Sequence, residues 1–307
     1  MNPAVIEKDF WVCWVLKQLF ADSELRNRLV FKGGTSLSKV FGLIDRFSED
    51  IDLILDWQLL GYGPGQEDPF HQFDSKGKQD RFNKGINKKA ADYIAGPLAA
   101  RLQVLCARCP EVQVSLDATD AHALNIQYPA AFSQDYLRPA VRLEIGPLAS
   151  WVPSARHTIR PYSAETFPEV FEEPDCSVIA ISAERTFWEK ATILHQEAHR
   201  KGAIPRRYSR HYYDTYKLAE SPIRAKAVGD LALLRQVVEF KQRFYPCGWA
   251  CYEDAKQGTF RLLPDKERLQ ILRRDYRDMN LMIFGETPGF EAILRTLKSL
   301  EDEINAP

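Results

Sequence analysis

The stretch "SEDIDLIL" places acidic residues inside an apolar run. Ser48, Asp50 and Asp52 alternate there with Ile51, Leu53 and Leu55, so an extended backbone sends the polar side chains to one face and the apolar ones to the core. Two residues along a strand, the carboxylates stand roughly 6–7 Å apart. Taking an ionised carboxylate out of water is costly unless it is paired or bound to metal, so the pair asks for a ligand. Oxygen donors of this kind suit a hard divalent ion, Mg²⁺ or Mn²⁺ in its place, with water and substrate phosphates completing the shell. A third carboxylate is offered by "AVRLEIGPL", where Val141, Leu143 and Ile145 alternate with Arg142 and Glu144 and leave Glu144 on the polar face of a second strand. Upstream, Gly33, Gly34, Thr35 and Ser36 precede a short amphipathic run carrying Lys39. Such a turn can present backbone N–H groups and hydroxyls to phosphate. It is not a P-loop, because G-x-x-x-x-G-K-[ST] is absent.

Further candidates lie downstream. On a helical wheel Phe187, Ala191, Leu194 and Ala198 form a stripe with Lys190 at its edge, suited to a phosphate-binding ammonium or to a lysine reaching past an apolar face to water. Arg207, Arg210, His211 and Asp214 fall at i, i+3, i+4 and i+7, a basic helix face with one acid on it. This face either tracks RNA or is simply solvated, as is the run Lys76, Lys78, Arg81, Lys84, Lys88 and Lys89. His195 and His199 have the spacing of a zinc helix, but Glu197 does not follow the first histidine as H-E-x-x-H requires. Cys106, Cys109, Cys247 and Cys251 read as core thiols rather than a four-thiolate site.

The elements that must position these groups follow from periodicity. The segment from Asn2 to Leu29 is helix-spaced through Phe10, Trp11, Trp14, Val15, Leu19 and Phe20. A glycine- and proline-rich loop, "GYGPGQEDPF", separates the first strands from a helix leading to "AARLQVL", and three or four alternating strands lie between about Val112 and Ile159. Beyond Ser182 the pattern is helical, with "AKAVGDLALLRQVVEFKQRF" as one long helix. The expected fold is α+β: a mixed sheet with helices over residues 1–180, then a mostly helical part over 181–307. With 45% apolar residues and a net charge of −1, the chain is a globular protein and no global polycation, so nucleic acid would be met by local patches. Scattered cysteines, no signal peptide and no apolar run of membrane-spanning length point to a reduced, cytoplasmic protein.

Together "FKGGTSLSKVF…RFSEDIDL" and the distant Glu144 strand resemble the nucleotidyltransferase fold. More narrowly, "IEKDFWV", "ERTFWEKATILHQE", "RHYYDTYKL" and "DYRDMNLMIFGETPGFEAILRTLKSLEDEIN" resemble the AbiEii/AbiGii toxin family. That resemblance implies a nucleotidyltransferase toxin of a toxin–antitoxin or abortive-infection system, partnered by a separately encoded DNA-binding antitoxin. It implies Asp50, Asp52 and Glu144 as metal ligands and Gly33, Gly34, Thr35, Ser36, Ser48 and Lys190 as nucleotide-binding residues. The helical part would contribute Lys190 and Asp214 to catalysis. The expected reaction moves a nucleotidyl group from an NTP to the 3′ end of RNA, such as tRNA. Modification of an antibiotic or a protein hydroxyl is the alternative reaction, and an inactive nucleotide-binding partner the non-enzymatic one.

Overall fold

Asn2 starts α1 (Pro3–Ala21): its side chain accepts from the Ala4 N–H at 2.9 Å, and Pro3 occupies a first-turn position where a missing N–H costs nothing. The computed structural model describes residues 2–48, 50–63, 73–132 and 137–307. Glu49 of the acidic motif and residues 64–70 of the glycine- and proline-rich loop lie outside the described residues. The chain divides into two compact units, 1–40 with 48–181, and 41–47 with 182–307.

In the first unit, β1 (Leu29–Lys32), α2 (Gly33–Lys39) and β2 (Asp50–Leu55) are followed by α3 (Lys76–Tyr93) and α4 (Ala99–Cys106). Four strands come next, β3 (Gln113–Leu116), β4 (Ala123–Gln127), β5 (Ala140–Gly146) and β6 (Ser154–Ile159), and after α5 (Tyr162–Thr166) the unit closes with β7 (Cys176–Ile181). They form one seven-stranded mixed sheet ordered β3-β4-β5-β2-β1-β7-β6. The apolar residues of the two central strands are fully buried: Leu29, Val30, Phe31, Ile51, Leu53, Ile54 and Leu55 are each 0% exposed. β7 is a strand the sequence pattern does not announce. Covered by α1 and flanked by β1 and β6, "CSVIAI" reads as a short apolar run without alternation.

The second unit holds α6 (Ala183–Ala198), α7 (Ser209–Ala219), α8 (Ile223–Val228), α9 (Leu231–Phe244), α10 (Leu269–Met279) and α11 (Phe290–Asn305). The long helix expected from residue 225 is two: α8 stops at Gly229, and the Asp230 side chain accepts from the Leu233 N–H at 3.0 Å to begin α9. The sequence leaves residues 41–47 with the first part, whereas they pack as part of the helical unit. The Phe47 N–H donates to the Met282 carbonyl at 2.7 Å and the Phe284 N–H to the Asp45 carbonyl at 2.9 Å. A bridge needs a partner distant in sequence, so local periodicity could not assign this segment.

Candidate active site

Strand register assembles the polar face of the first unit. β2 and β5 are parallel neighbours with Asp50 opposite Arg142 and Asp52 opposite Glu144, so all four side chains lie on one face of the sheet. Antiparallel β1 adds Lys32 opposite Asp52. Ser48 precedes the strand.

Gly33 supports Asp52 directly. Its φ is +82°, and a Cβ there would lie 2.0 Å from Asp52 Oδ2 and 2.7 Å from Cγ, so only glycine lets the carboxylate rest against the loop backbone. The hydroxyls of the loop are used differently from the sequence expectation. Thr35 donates to the Asp50 carbonyl, tying loop to strand, and Ser36 donates to the Gly33 carbonyl at 2.9 Å. Both are buried, so the part of the turn facing outward is the backbone around Gly33. Lys39 is likewise committed: its ammonium pairs with Asp9 at 2.8 Å, both side chains under 5% exposed, and lies 3.6 Å from the Tyr162 ring centre.

Glu144 is held by Arg142, whose Nε donates to it at 3.1 Å while the other guanidinium nitrogens reach Asp117 and, at 2.9 Å, Asp120. Burial lowers the Arg142 pKa, and Glu144, Asp117 and Asp120 more than restore it. Hydrogen bonds from Asn125 and Thr119, with Arg142 alongside, hold the Asp117 carboxyl well below the ordinary range. Among the described residues only Cys251, Glu253 and Asp254 bring metal-ligating atoms within 4.8 Å of one another; the oxygens of Asp50, Asp52 and Glu144 do not converge that tightly. Their donor set is nonetheless all carboxylate, on adjacent strands in register, with Asp52 seated where a Cβ would otherwise be. This chemistry fits a hard divalent cation.

In the helical unit, Lys190 of α6 donates to Asp214 Oδ2 at 2.8 Å, and Arg46 grips the same carboxylate through Nε at 2.6 Å and Nη2 at 2.8 Å. Burial would raise the Asp214 pKa, but the Arg46 guanidinium and Lys190 ammonium outweigh it and hold the carboxyl far below its usual value. Burial also pulls Lys190 down, opposed by Asp214. His211 is kept neutral by burial and by the neighbouring cations Lys190 and Arg210, and its Nδ1 has no hydrogen-bond partner among the described residues. Asp214 thus joins Arg46 and Lys190, not the arginine face anticipated from helical spacing. Arg207 is not on the helix: it has φ +60° and precedes α7, and its N–H donates to Asp275 Oδ1 at 2.5 Å. Arg207 and Arg210 are both exposed.

A family model for the AbiEii nucleotidyl transferase toxin, type IV toxin–antitoxin system, matches residues 14–296. The chain belongs to this family. It is therefore a nucleotidyltransferase toxin, and a type IV system implies a separate antitoxin. No curated protein matches the sequence significantly. Among solved structures, the AbiEii chain is similar to MenT4, a nucleotidyltransferase toxin from Mycobacterium tuberculosis H37Rv, at 16% identity, covering 97% of this chain and 91% of that one with a TM-score of 0.43. It is similar also to JHP933 from Helicobacter pylori, at 14% identity, 99% and 93% coverage and a TM-score of 0.46. A further structure from H. pylori matches at 14% identity, 99% and 96% coverage and a TM-score of 0.46.

Several residues of this AbiEii enzyme that hold the candidate groups escape a sequence reading. Arg46 lies 168 positions from Asp214, and Asp117 and Asp120 sit in a turn, where acids are common. The "IEKD" motif turns out to position backbone: Glu7 accepts from the Ala131 and Phe132 N–H groups at 2.7 and 3.1 Å, Lys8 donates to the Arg138 carbonyl at 3.1 Å, and Asp9 accepts from the Tyr162 N–H at 2.7 Å. His195 is bound at both ring nitrogens by backbone, the Cys251 carbonyl and the Arg261 N–H, each at 3.0 Å. Of the thiols expected in the core, Cys106 is buried and raised to about 11 by desolvation, while Cys109, Cys247 and Cys251 are half-buried. The lysines of α3 are partly neutralised, Lys78 by Asp74 and Lys84 by Asp80, each at 2.7 Å. Among the described residues no helix is long and apolar enough to cross a membrane.

Proposed function

We propose that this AbiEii enzyme transfers a nucleotidyl group from an NTP to the 3′ end of an RNA such as tRNA, working in the cytoplasm as the toxin opposed by a DNA-binding antitoxin. The observation that carries the reading is the register placing Asp50, Asp52 and Glu144 on one sheet face, with Gly33 stripped of a side chain beneath Asp52. Asp50, Asp52 and Glu144 would hold Mg²⁺, or Mn²⁺, which when bound supplies neutralisation of triphosphate charge. Arg142 orients Glu144, and the Thr35 hydroxyl fixes the loop to the strand bearing Asp50. The Gly33–Gly34 backbone offers N–H groups to phosphate oxygens. Lys190 spends one N–H on Asp214, which orients the side chain and opposes the lowering of its pKa by burial, and its other N–H groups bind phosphate. Exposed Arg207 and Arg210 favour an acceptor that is itself a polyanion.

The test incubates the purified protein with each α-labelled NTP, total RNA and lysate protein in the presence of Mg²⁺, with Asp50→Ala as control. Label in RNA that requires Asp50 supports the reading. Asp50-dependent label only in protein or small molecules replaces the acceptor, and undiminished labelling by the Asp50→Ala variant ends the catalytic assignment.

A further inference from the structure

In the helical unit, α10 and the loop entering α11 frame a cleft of about 670 Å³. Arg273, Arg274 and Arg277 line it from one face of α10, over a floor formed by Tyr276 and Phe290, whose ring centres are 5.3 Å apart. Arg273 is neutralised by Glu291 at 2.8 Å. Arg274 and Arg277 are exposed and enter no ion pair among the described residues. The acid between them, Asp275, gives its carboxylate to the N–H groups of Arg207 and Ser209, at 2.5 and 2.8 Å. Like charges three residues apart destabilise a helix, so the helix itself gains nothing from placing Arg274 and Arg277 together. The cleft is made still more positive by the start of α11, which Gly289 leaves without a side-chain cap. One wall group has the opposite need: Asn280 Oδ1 is buried without a hydrogen-bond partner among the described residues.

We propose that this cleft binds the sugar–phosphate backbone of RNA, an inference that rests on the RNA-acceptor reading above. Guanidinium groups pair with phosphate oxygens in bidentate geometry. Two exposed arginines one helical turn apart suit successive phosphates better than a single one. The Asn280 oxygen accepts from an N–H or O–H donor, and the ribose 2′-hydroxyl is one that RNA carries and DNA lacks.

The test is fluorescence anisotropy with a labelled single-stranded RNA oligonucleotide and a DNA of the same sequence, without NTP or metal, so that binding is read apart from catalysis. Relative to wild type, an Arg274→Ala/Arg277→Ala variant should bind RNA at least about tenfold more weakly, with the slope of log affinity against log salt reduced by about 1.4. Its thermal midpoint should be unchanged or higher, and an Arg274→Lys/Arg277→Lys variant should keep the salt slope. Asn280→Ala should erase the preference for RNA over DNA. Wild-type affinity and salt slope in the double alanine variant would overturn the proposal. So would a labelled polyglutamate peptide that binds more tightly than RNA and is lost in that variant. Arginine-dependent RNA binding by a protein that never labels RNA sustains the cleft and removes only the acceptor reading.

Discussion

Gly33→Ala probes the contact on which the candidate site depends. At φ +82° the new residue adopts a left-handed backbone, which costs a non-glycine residue about 1–2 kcal/mol. Its Cβ would also fall 2.0 Å from Asp52 Oδ2, so the carboxylate must leave its position, at about 0.5–1.5 kcal/mol if the side chain is pushed off its rotamer. The loss of unfolding free energy is then about 1.5–3.5 kcal/mol. Asp52→Ala removes Oδ2 and Cγ and leaves only its Cβ, 3.0 Å from the added methyl. In that background Gly33→Ala should cost only the backbone component, giving a coupling of about 0.5–1.5 kcal/mol across the double-mutant cycle. Urea unfolding followed by tryptophan fluorescence measures the four proteins, and labelled nucleotide transfer measures the site. Transfer by Gly33→Ala should fall at least about tenfold, because a displacement of about 1 Å at a reacting centre is expensive. A Gly33→Ala enzyme with full transfer and no coupling to Asp52 would refute the reasoning.

Asp214→Ala should destabilise the helical unit by about 3–5 kcal/mol, because it strands Arg46 and Lys190 together in a buried site. Lys190→Ala should cost distinctly less, since the bidentate Arg46–Asp214 pair survives; equal losses in thermal melts would contradict that ordering. Acid should weaken the fold through buried neutral histidines: burial lowers His195 to about 4 and His211 well below 6.5. With folded pKa values depressed, the unfolded chain takes up these protons first, so their contribution is intact above about pH 6.5 and falls by up to about 1.4 kcal/mol per pH unit for each histidine on the way to pH 4. Urea midpoints that stay flat across that window would exclude both assignments. Asp230→Ala removes the start of α9 and should cost about 1 kcal/mol in the same assay, whereas a longer continuous α8–α9 helix would show no loss.

The alternation in "SEDIDLIL" and "AVRLEIGPL" determined the strands, their buried faces and the carboxylates on the opposite face, because period-2 burial is local information. The same holds for the helices after Ser182, except where Gly229 and Asp230 divide one periodic stretch into two. β7 left no clear alternation in residue type, since its less buried face carries apolar Ile179 beside exposed Ser177. Only the tertiary structure decided which strands are neighbours, and with that the register setting Asp52 opposite Glu144. Only it set Gly33 against the Asp52 carboxylate, buried the Thr35 and Ser36 hydroxyls, and brought Arg46 to Asp214 across 168 positions. These are pairings between distant segments: a sequence records that a buried charge needs a partner, and chain topology chooses which one it receives.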